Sequence, residues 1–309
     1  MMSPELGVIL SDLFFPIFEY IAPHVPGEFF PNFFNGEIQA LQRSLLGSLM
    51  VTIIAGFLGS FLLVRNLAMI GDGLAHVAFG GVIVGIILGA STPLWYAMIC
   101  SIIASISIYE LQSREILTGD ASIAIFMTGM LAFGLVILKL SGRAITTDIH
   151  SYLFGSQLLI DSENLNLISW MSLTSLFVLF NLRHALLAIT IDPLSARVQG
   201  LPVRGIGLMF SIIIAIVVVS MVKVVGALLV TALLVTPAAT AQLIGRSFKS
   251  CIVLTQIFGF LSLMIGIYFS AEHGTGTGSS ISLVAATMFV IIGLVKSIII
   301  NLNSKKNVN

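Results

Sequence analysis

Long uninterrupted apolar runs separated by short polar connectors set the pattern of this chain. A bilayer core takes about 20 mostly apolar residues as a helix. Runs of that kind fall at 44–64, 69–89, 93–109, 119–139, 164–182, 205–222, 224–244, 251–270 and 280–300. Nine spanning helices are expected, within a range of eight to ten. The runs are continuous rather than alternating, which argues against barrel strands. The third run opens on Pro93, at home in a first helical turn. The expected fold class is therefore all-α, a polytopic integral membrane protein. Residues 140–163 carry Gly142, Arg143, Asp148, His150, Asp161 and Glu163, so a loop or a surface helix is expected there. The segment 6–22, LGVILSDLFFPIFEYIA, is apolar but interrupted by Asp12, Pro16 and Glu19. It reads as a helix lying in the membrane interface rather than as a tenth span. The chain thus divides into an acidic N-terminal segment, 1–40, and a transmembrane domain, 41–309.

Composition agrees with this pattern and removes whole classes of function. Hydrophobic residues make up 57% of the 309 positions and charged ones 9%, where a soluble domain carries about 25% charge. Mean hydropathy is +1.09. A soluble enzyme, a nucleic-acid binder and a disordered scaffold are excluded, and membrane lipid is the expected solvent. Cys100 and Cys251 lie inside apolar runs without metal-ligand spacing and read as small packing residues. The first basic residue is Arg43, so the positively charged start of a secretory signal is not expected.

The net charge is zero, yet the basic residues are unevenly placed. Arg43, Lys139, Arg143 and Lys223 fall in one set of alternate connectors. Arg65, Arg114, Arg183, Arg197, Arg204, Arg246, Lys249, Lys296, Lys305 and Lys306 fall in the other. By the positive-inside rule the second set is cytoplasmic. A multi-pass protein of the plasma membrane is expected, with its C-terminus inside. The acids Glu5, Asp12, Glu19, Glu28 and Glu37 are then outside.

An ionisable group within a spanning helix is a functional candidate by default. The second run begins MIGDGLAHVAFGGVIVGIILG. Asp72 and His76 stand four apart, hence on one helical face a turn apart. Carboxylate oxygen with imidazole nitrogen suits zinc, manganese or iron(II), although a hydrogen-bonded packing pair is also consistent with that spacing. Gly81, Gly85 and Gly89 form two GxxxG steps roughly opposite His76, a surface for close helix packing. Between the fifth and sixth runs, Asp192 suits an N-cap, Pro193 a first helical position and Gly200 a left-handed stop. A two-turn cytoplasmic helix at 193–199 is expected, either a docking element for a soluble partner or a plain connector. Pro237 sits inside the run VVGALLVTALLVTPAATAQLI and predicts a kink or break near Thr236, as a gate or as a bent packing helix. Thr231, Thr236 and Thr240 could satisfy the carbonyls that such a break frees. The outer loop AEHGTGTGSSIS reads as solvated, with Glu272 and His273 a weak metal pair, and Asp148 with His150 stands no higher.

No GxxxxGK[ST] occurs, so any ATPase motor must be another polypeptide, and 193–199 is where it would grip. HExxH and GxSxG are missing too, which leaves an intramembrane enzyme without its catalytic residues. The competing class is a proton-coupled secondary metal transporter with Asp72 and His76 as its relay.

Four stretches, LGSFLLVRNLAMIGDGLAHVAFGGVIVG at 58–85, SYLFGSQLL at 151–159, DPLSARVQGLPVRGI at 192–206 and VKVVGALLVTALLVTPAATAQLI at 222–244, carry a likeness. The chain resembles the membrane permease subunit of the ATP-binding-cassette importers for zinc, manganese or iron, over about residues 41–300. That resemblance implies a second permease copy, two ABC ATPase subunits and an extracytoplasmic metal-binding protein as partners, with ATP used by the ATPase. It implies no resident cofactor and no catalytic residues in this chain. It places the metal path at Asp72 and His76, and coupling to the ATPase at Asp192 to Gly200, including Pro193 and Ala196. Ala75 stands where many manganese-type members have serine, which favours zinc first and manganese next. Residues 1–40 have no counterpart in the family pattern. The outer loop departs as well, since HGTGTGSS replaces a proline-containing stretch.

Overall fold

The computed structural model describes residues 6–142, 147–155, 160–227 and 229–306. Thirteen α-helices follow one another: α1 Leu6–Ile21, α2 Gln39–Val64, α3 Ile70–Ile87, α4 Leu94–Ser113, α5 Gly119–Leu140, α6 Thr147–Phe154, α7 Ser162–Ile191, α8 Pro193–Val198, α9 Val203–Val225, α10 Val230–Leu234, α11 Thr236–Ile244, α12 Phe248–His273 and α13 Thr277–Lys306. Among the described residues there is no strand. The all-α polytopic architecture expected from the apolar runs is what the chain adopts. Nine helices among the described residues are long and apolar enough to cross a membrane.

That total is reached differently from the sequence reading. The run 224–244 is not one spanning helix. α9 ends at Gly226, whose φ of +92° suits glycine, and whose missing side chain lets Leu153, Phe154 and Gly155 lie against it. The chain turns and resumes as α10, breaks again at Val235, and continues as α11 with Pro237 in its first turn. Residues 230–244 would extend about 22 Å as a helix, so the chain passes from one end of the bundle, where Val225 lies against Gly278, to the opposite end, where Phe248 meets Phe61, as a broken segment rather than as one long helix. The ninth long apolar helix is instead Leu6–His24, at the N-terminus.

Local signals account for several helix ends. Asp161 caps α7 by accepting from Asn164 N (2.8 Å), and Ser247 caps α12 by accepting from Ser250 N (3.2 Å). Gly274, at φ +64°, stops α12. Between helices, small polar residues meet in pairs: Ser105 with Ser211 at 2.8 Å and Ser60 with Thr255 at 3.2 Å. Such pairs let membrane helices approach closely while satisfying their hydroxyls.

α3 lies at the centre, packed against α4, α5, α9 and α10. A Cβ on Gly81 would stand 2.8 Å from Ala97 Cα, and one on Gly85 would stand 3.0 Å from Pro93 Cα, so both glycines face α4. Gly80 faces α5, where a Cβ would stand 2.6 Å from Met130 O. Gly89 lies beyond the end of α3 at φ +75° with nothing within 4 Å of its would-be Cβ. It is a turn glycine within this chain, not a third packing step, because the helix stops before it.

At one end of the bundle, Arg65 lines a recess with Tyr109, and Arg114, Arg197 and Arg204 line a second one with Tyr109 and Glu110. Glu110 pairs with Arg204 at 2.7 Å and with Arg114 at 3.0 Å. At the other end the N-terminal segment wraps the bundle. Partners of α1 lie near the starts of α2 and α7: Gly7 against Asn166, Phe18 against Phe34, Glu19 beside Gly36. α1 packs on α7 and on the strap near those starts.

After α1, residues 22–37 form a strap. Its aromatic rings join Phe18, Phe30, Phe34 and Tyr268 edge to face, at centroid distances of 5.4–5.9 Å. Glu272 Oε1, at the end of α12, accepts from the backbone N–H of Phe29 and of Phe30, both at 2.9 Å. Gly27, at φ +113°, has no side chain to keep that carboxylate away. Gln42 on α2 donates to Phe34 O at 2.8 Å.

Candidate functional site

Asp72 lies in the first turn of α3 and His76 one turn later, so their shared face follows from helical spacing alone. Asp72 Oδ1 and His76 Nε2 are 4.0 Å apart, with side-chain exposures of 27% and 12%. They are sheltered but reachable. His76 Nδ1 is buried and has no hydrogen-bond partner among the described residues. Structural buried polar atoms nearly always find one.

The break between α9 and α10 brings a third group to this pair. Thr231 Oγ1 donates to Asp72 Oδ1 at 3.4 Å, across 159 positions of sequence. α10 can come this close because glycines on two neighbours make room. The Leu234 carbonyl rests against Gly59 of α2, and a Cβ on Gly71 of α3 would stand 2.8 Å from the Leu234 side chain. From sequence, Thr231 is expected only as a partner for freed carbonyls. Its proximity to Asp72 depends on tertiary packing that no local spacing signals.

The arrangement offers two oxygens and one imidazole nitrogen around one partly open position. Groups of three or more His, Cys, Asp or Glu side chains able to hold a metal are absent among the described residues. A complete cage of strong ligands is what a resident structural metal uses, whereas a site that must release its cargo needs fewer.

Thr236 and Pro237 open α11, one residue after the break at Val235. Thr240 Oγ1 returns a hydrogen bond to Thr236 O at 2.8 Å. Glu272 is not a solvated loop acid, because it is engaged by the strap. His273 stacks on Phe269 with ring centroids 4.8 Å apart. The two residues therefore do not form a metal pair. The side chains of Asp148 and His150 lie outside the described residues.

α8 is built by its ends. Asp192 Oδ1 accepts from Leu194 N at 3.0 Å and Ser195 N at 3.1 Å, and Oδ2 accepts from the Ser195 hydroxyl. These contacts, the Ser195 hydroxyl first, hold the Asp192 carboxyl below the usual carboxylate range. Pro193 takes the first helical position and Gly200 the left-handed one, at φ +82°. Ala196 is buried, while Leu194 and Val198 are exposed by 73% and 89%. A capped helix two turns long presents two apolar side chains outward, beside the arginine-lined recess.

Comparison with known proteins gives a consistent result. The chain is 32% identical over 251 residues to the manganese transport system membrane protein MntC of Halalkalibacterium halodurans, covering 81% of this chain and 85% of that protein. It is 31% identical over 253 residues to the high-affinity zinc uptake system membrane protein ZnuB of Haemophilus influenzae, covering 82% and 96%. Its fold is similar to that of PsaBC from Streptococcus pneumoniae, solved in complex with Fab, with a TM-score of 0.74 and 29% identity over 84% of this chain and 94% of the other. The pattern of one family matches residues 37–296, from the start of α2 through the Asp72–His76 helix, α8 and the broken α10–α11 pair, and leaves α1 and most of the strap before it. The chain belongs to the ABC 3 transport family.

Proposed function

We propose that this chain is the permease subunit of an ATP-driven importer, and that it carries a divalent transition-metal ion, zinc or manganese, into the cytoplasm. The observation that carries this reading is the sheltered Asp72–His76 pair on α3, facing a helix broken within the bundle. Non-helical backbone is tolerated at membrane depth where it is buried or lines a path. An incomplete oxygen and nitrogen donor set binds such an ion and lets it go. The relatives include permeases of manganese and of zinc systems at nearly equal identity. Ala75 favours zinc by resemblance.

ATP hydrolysis belongs to a separate subunit. α8 is its grip, with Leu194 and Val198 as the contact side chains and the arginine-lined end of the bundle facing the cytoplasm. In this arrangement the C-terminus is cytoplasmic, α1 lies in the outer interface, a second permease copy completes the path, and an extracytoplasmic binding protein delivers the ion to the end carrying the strap. A proton relay through Asp72 and His76 would need a hydrogen-bonded exit from the imidazole, and His76 Nδ1 has none among the described residues.

The test is reconstitution with an ABC ATPase subunit and an extracytoplasmic metal-binding protein. ATP-dependent uptake of manganese or zinc, with competition by the other ion, is the expected result. Uptake that ignores ATP and follows an imposed proton gradient would overturn the reading.

A further inference from the structure

We infer that Thr231 is a specificity-determining residue of the ion path, supplying a neutral oxygen that widens its cargo from zinc to manganese. The inference rests on the assignment of Asp72 and His76 as the path's ion-binding pair. Thr231 Oγ1 is 3.4 Å from Asp72 Oδ1, and His76 Nε2 is 4.0 Å from the same oxygen. Donors bound to one ion at about 2.1 Å in tetrahedral disposition stand about 3.4 Å from each other. The Thr231–Asp72 separation already has that value, and a small rotation of the imidazole brings the third donor in.

A hydroxyl has one proton and two lone pairs. The proton of Thr231 goes to the carboxylate, which leaves both lone pairs on Oγ1 for a cation approaching between the two side chains. Asp72 and His76 alone make a mixed pair of one oxygen and one nitrogen. A second oxygen shifts the set toward harder ions, since carboxylate and other oxygen donors suit manganese while imidazole suits zinc equally well or better.

The backbone shows why the hydroxyl can act there. Thr231 stands in a five-residue helix between two interruptions, at Gly226 and Val235. Gly59 and Gly71 remove the side chains that would hold α10 away from α2 and α3. Had α9 continued without Gly226, position 231 would lie nearly two turns further along that helix, away from Asp72.

The experiment measures ATP-driven uptake of radiolabelled manganese and zinc by the reconstituted complex carrying Thr231→Val, Thr231→Ser, Thr231→Cys or Asp72→Asn. Thr231→Val should lower manganese uptake by about tenfold relative to zinc, the low end of what losing one supporting group costs a metal site. Thr231→Ser should keep the wild-type ratio. Thr231→Cys, which exchanges oxygen for a softer sulfur, should move the ratio toward zinc even if Thr231→Val does not assemble. An equal loss of both ions in Thr231→Val, or an unchanged ratio in Thr231→Cys, would overturn the inference while Asp72→Asn remains inactive. Full uptake in Asp72→Asn would instead overturn the site assignment on which the inference rests.

Discussion

Two carboxylates, Glu272 and Asp72, show how one chain uses the same chemical group for opposite purposes. Glu272 at the end of α12 takes two backbone N–H donors of the strap at 2.9 Å, beneath a cluster of edge-to-face aromatic rings. Asp72 has a hydroxyl at 3.4 Å and an imidazole at 4.0 Å, and the far nitrogen of that imidazole has no partner among the described residues. The first acid accepts two backbone hydrogen bonds on one oxygen and fastens a segment that lies largely before the family match. The second keeps capacity in reserve inside that match. Where polar groups are satisfied, the protein is building structure. The proposed ion path makes the opposite use of Asp72, whose neighbours are a hydroxyl and an imidazole that could turn to a passing ion.

The widest separation of the two roles is expected from a change far from either acid. Gly200→Val with Ala196→Glu puts a branched side chain at φ +82° and a charge in a buried position of α8. Transport should fall to background while the ATPase still hydrolyses ATP, because the grip is lost and not the path. Full transport with the ATPase assembled would contradict the coupling role of α8.

In the strap, Phe30→Ala removes a buried ring that touches Tyr268 and Phe34. It should destabilise the strap by about 3 kcal/mol, seen as faster amide exchange over 22–37, with uptake retained. Loss of uptake in this variant would place the strap in the transport machinery and erase the distinction.

Glu272→Gln is gentler, since one amide oxygen still accepts. The loss of charge-assisted bonds should cost about 1–2 kcal/mol, read as increased proteolytic nicking at Gly27 and nowhere in α3.

The smallest effect is in pH. The Asp192 carboxyl is held below its ordinary range, so its cap strengthens the folded helix at neutral pH, and that contribution is lost only as pH falls through the lowered value. Amide protection across 193–200, corrected for the intrinsic pH dependence of exchange, should be full above the ordinary carboxylate range and decline as pH falls below it. In Asp192→Asn that pH dependence should vanish.

These contrasts also mark what could be read from the chain without its fold. The pair Asp72 and His76, the ends of α8 at Asp192 and Gly200, and the break beside Pro237 are local patterns. Spacing along a helix or a preferred backbone angle was enough to locate them. Within 224–244 Pro237 marks the second break, but the first, at Gly226, leaves no trace in hydropathy, which registers side chains only. Gly226 and Val235 interrupt the backbone without interrupting the apolar pattern. Gly89 was grouped with Gly81 and Gly85 by its spacing, yet the helix stops one residue before the turn that holds it. Thr231 beside Asp72 and Glu272 beneath Phe29 and Phe30 join residues 159, 243 and 242 positions apart. Only packing makes them neighbours.

The central claim is that Asp72 serves cargo and Glu272 serves structure. The most direct test measures metal uptake and local amide exchange in the same reconstituted complex, for Asp72→Asn and for Glu272→Gln. The account predicts that Asp72→Asn abolishes uptake of both ions and leaves exchange in α3 and α10 close to wild type, while Glu272→Gln speeds exchange over 22–37 and leaves uptake intact. Wild-type uptake in Asp72→Asn would contradict it.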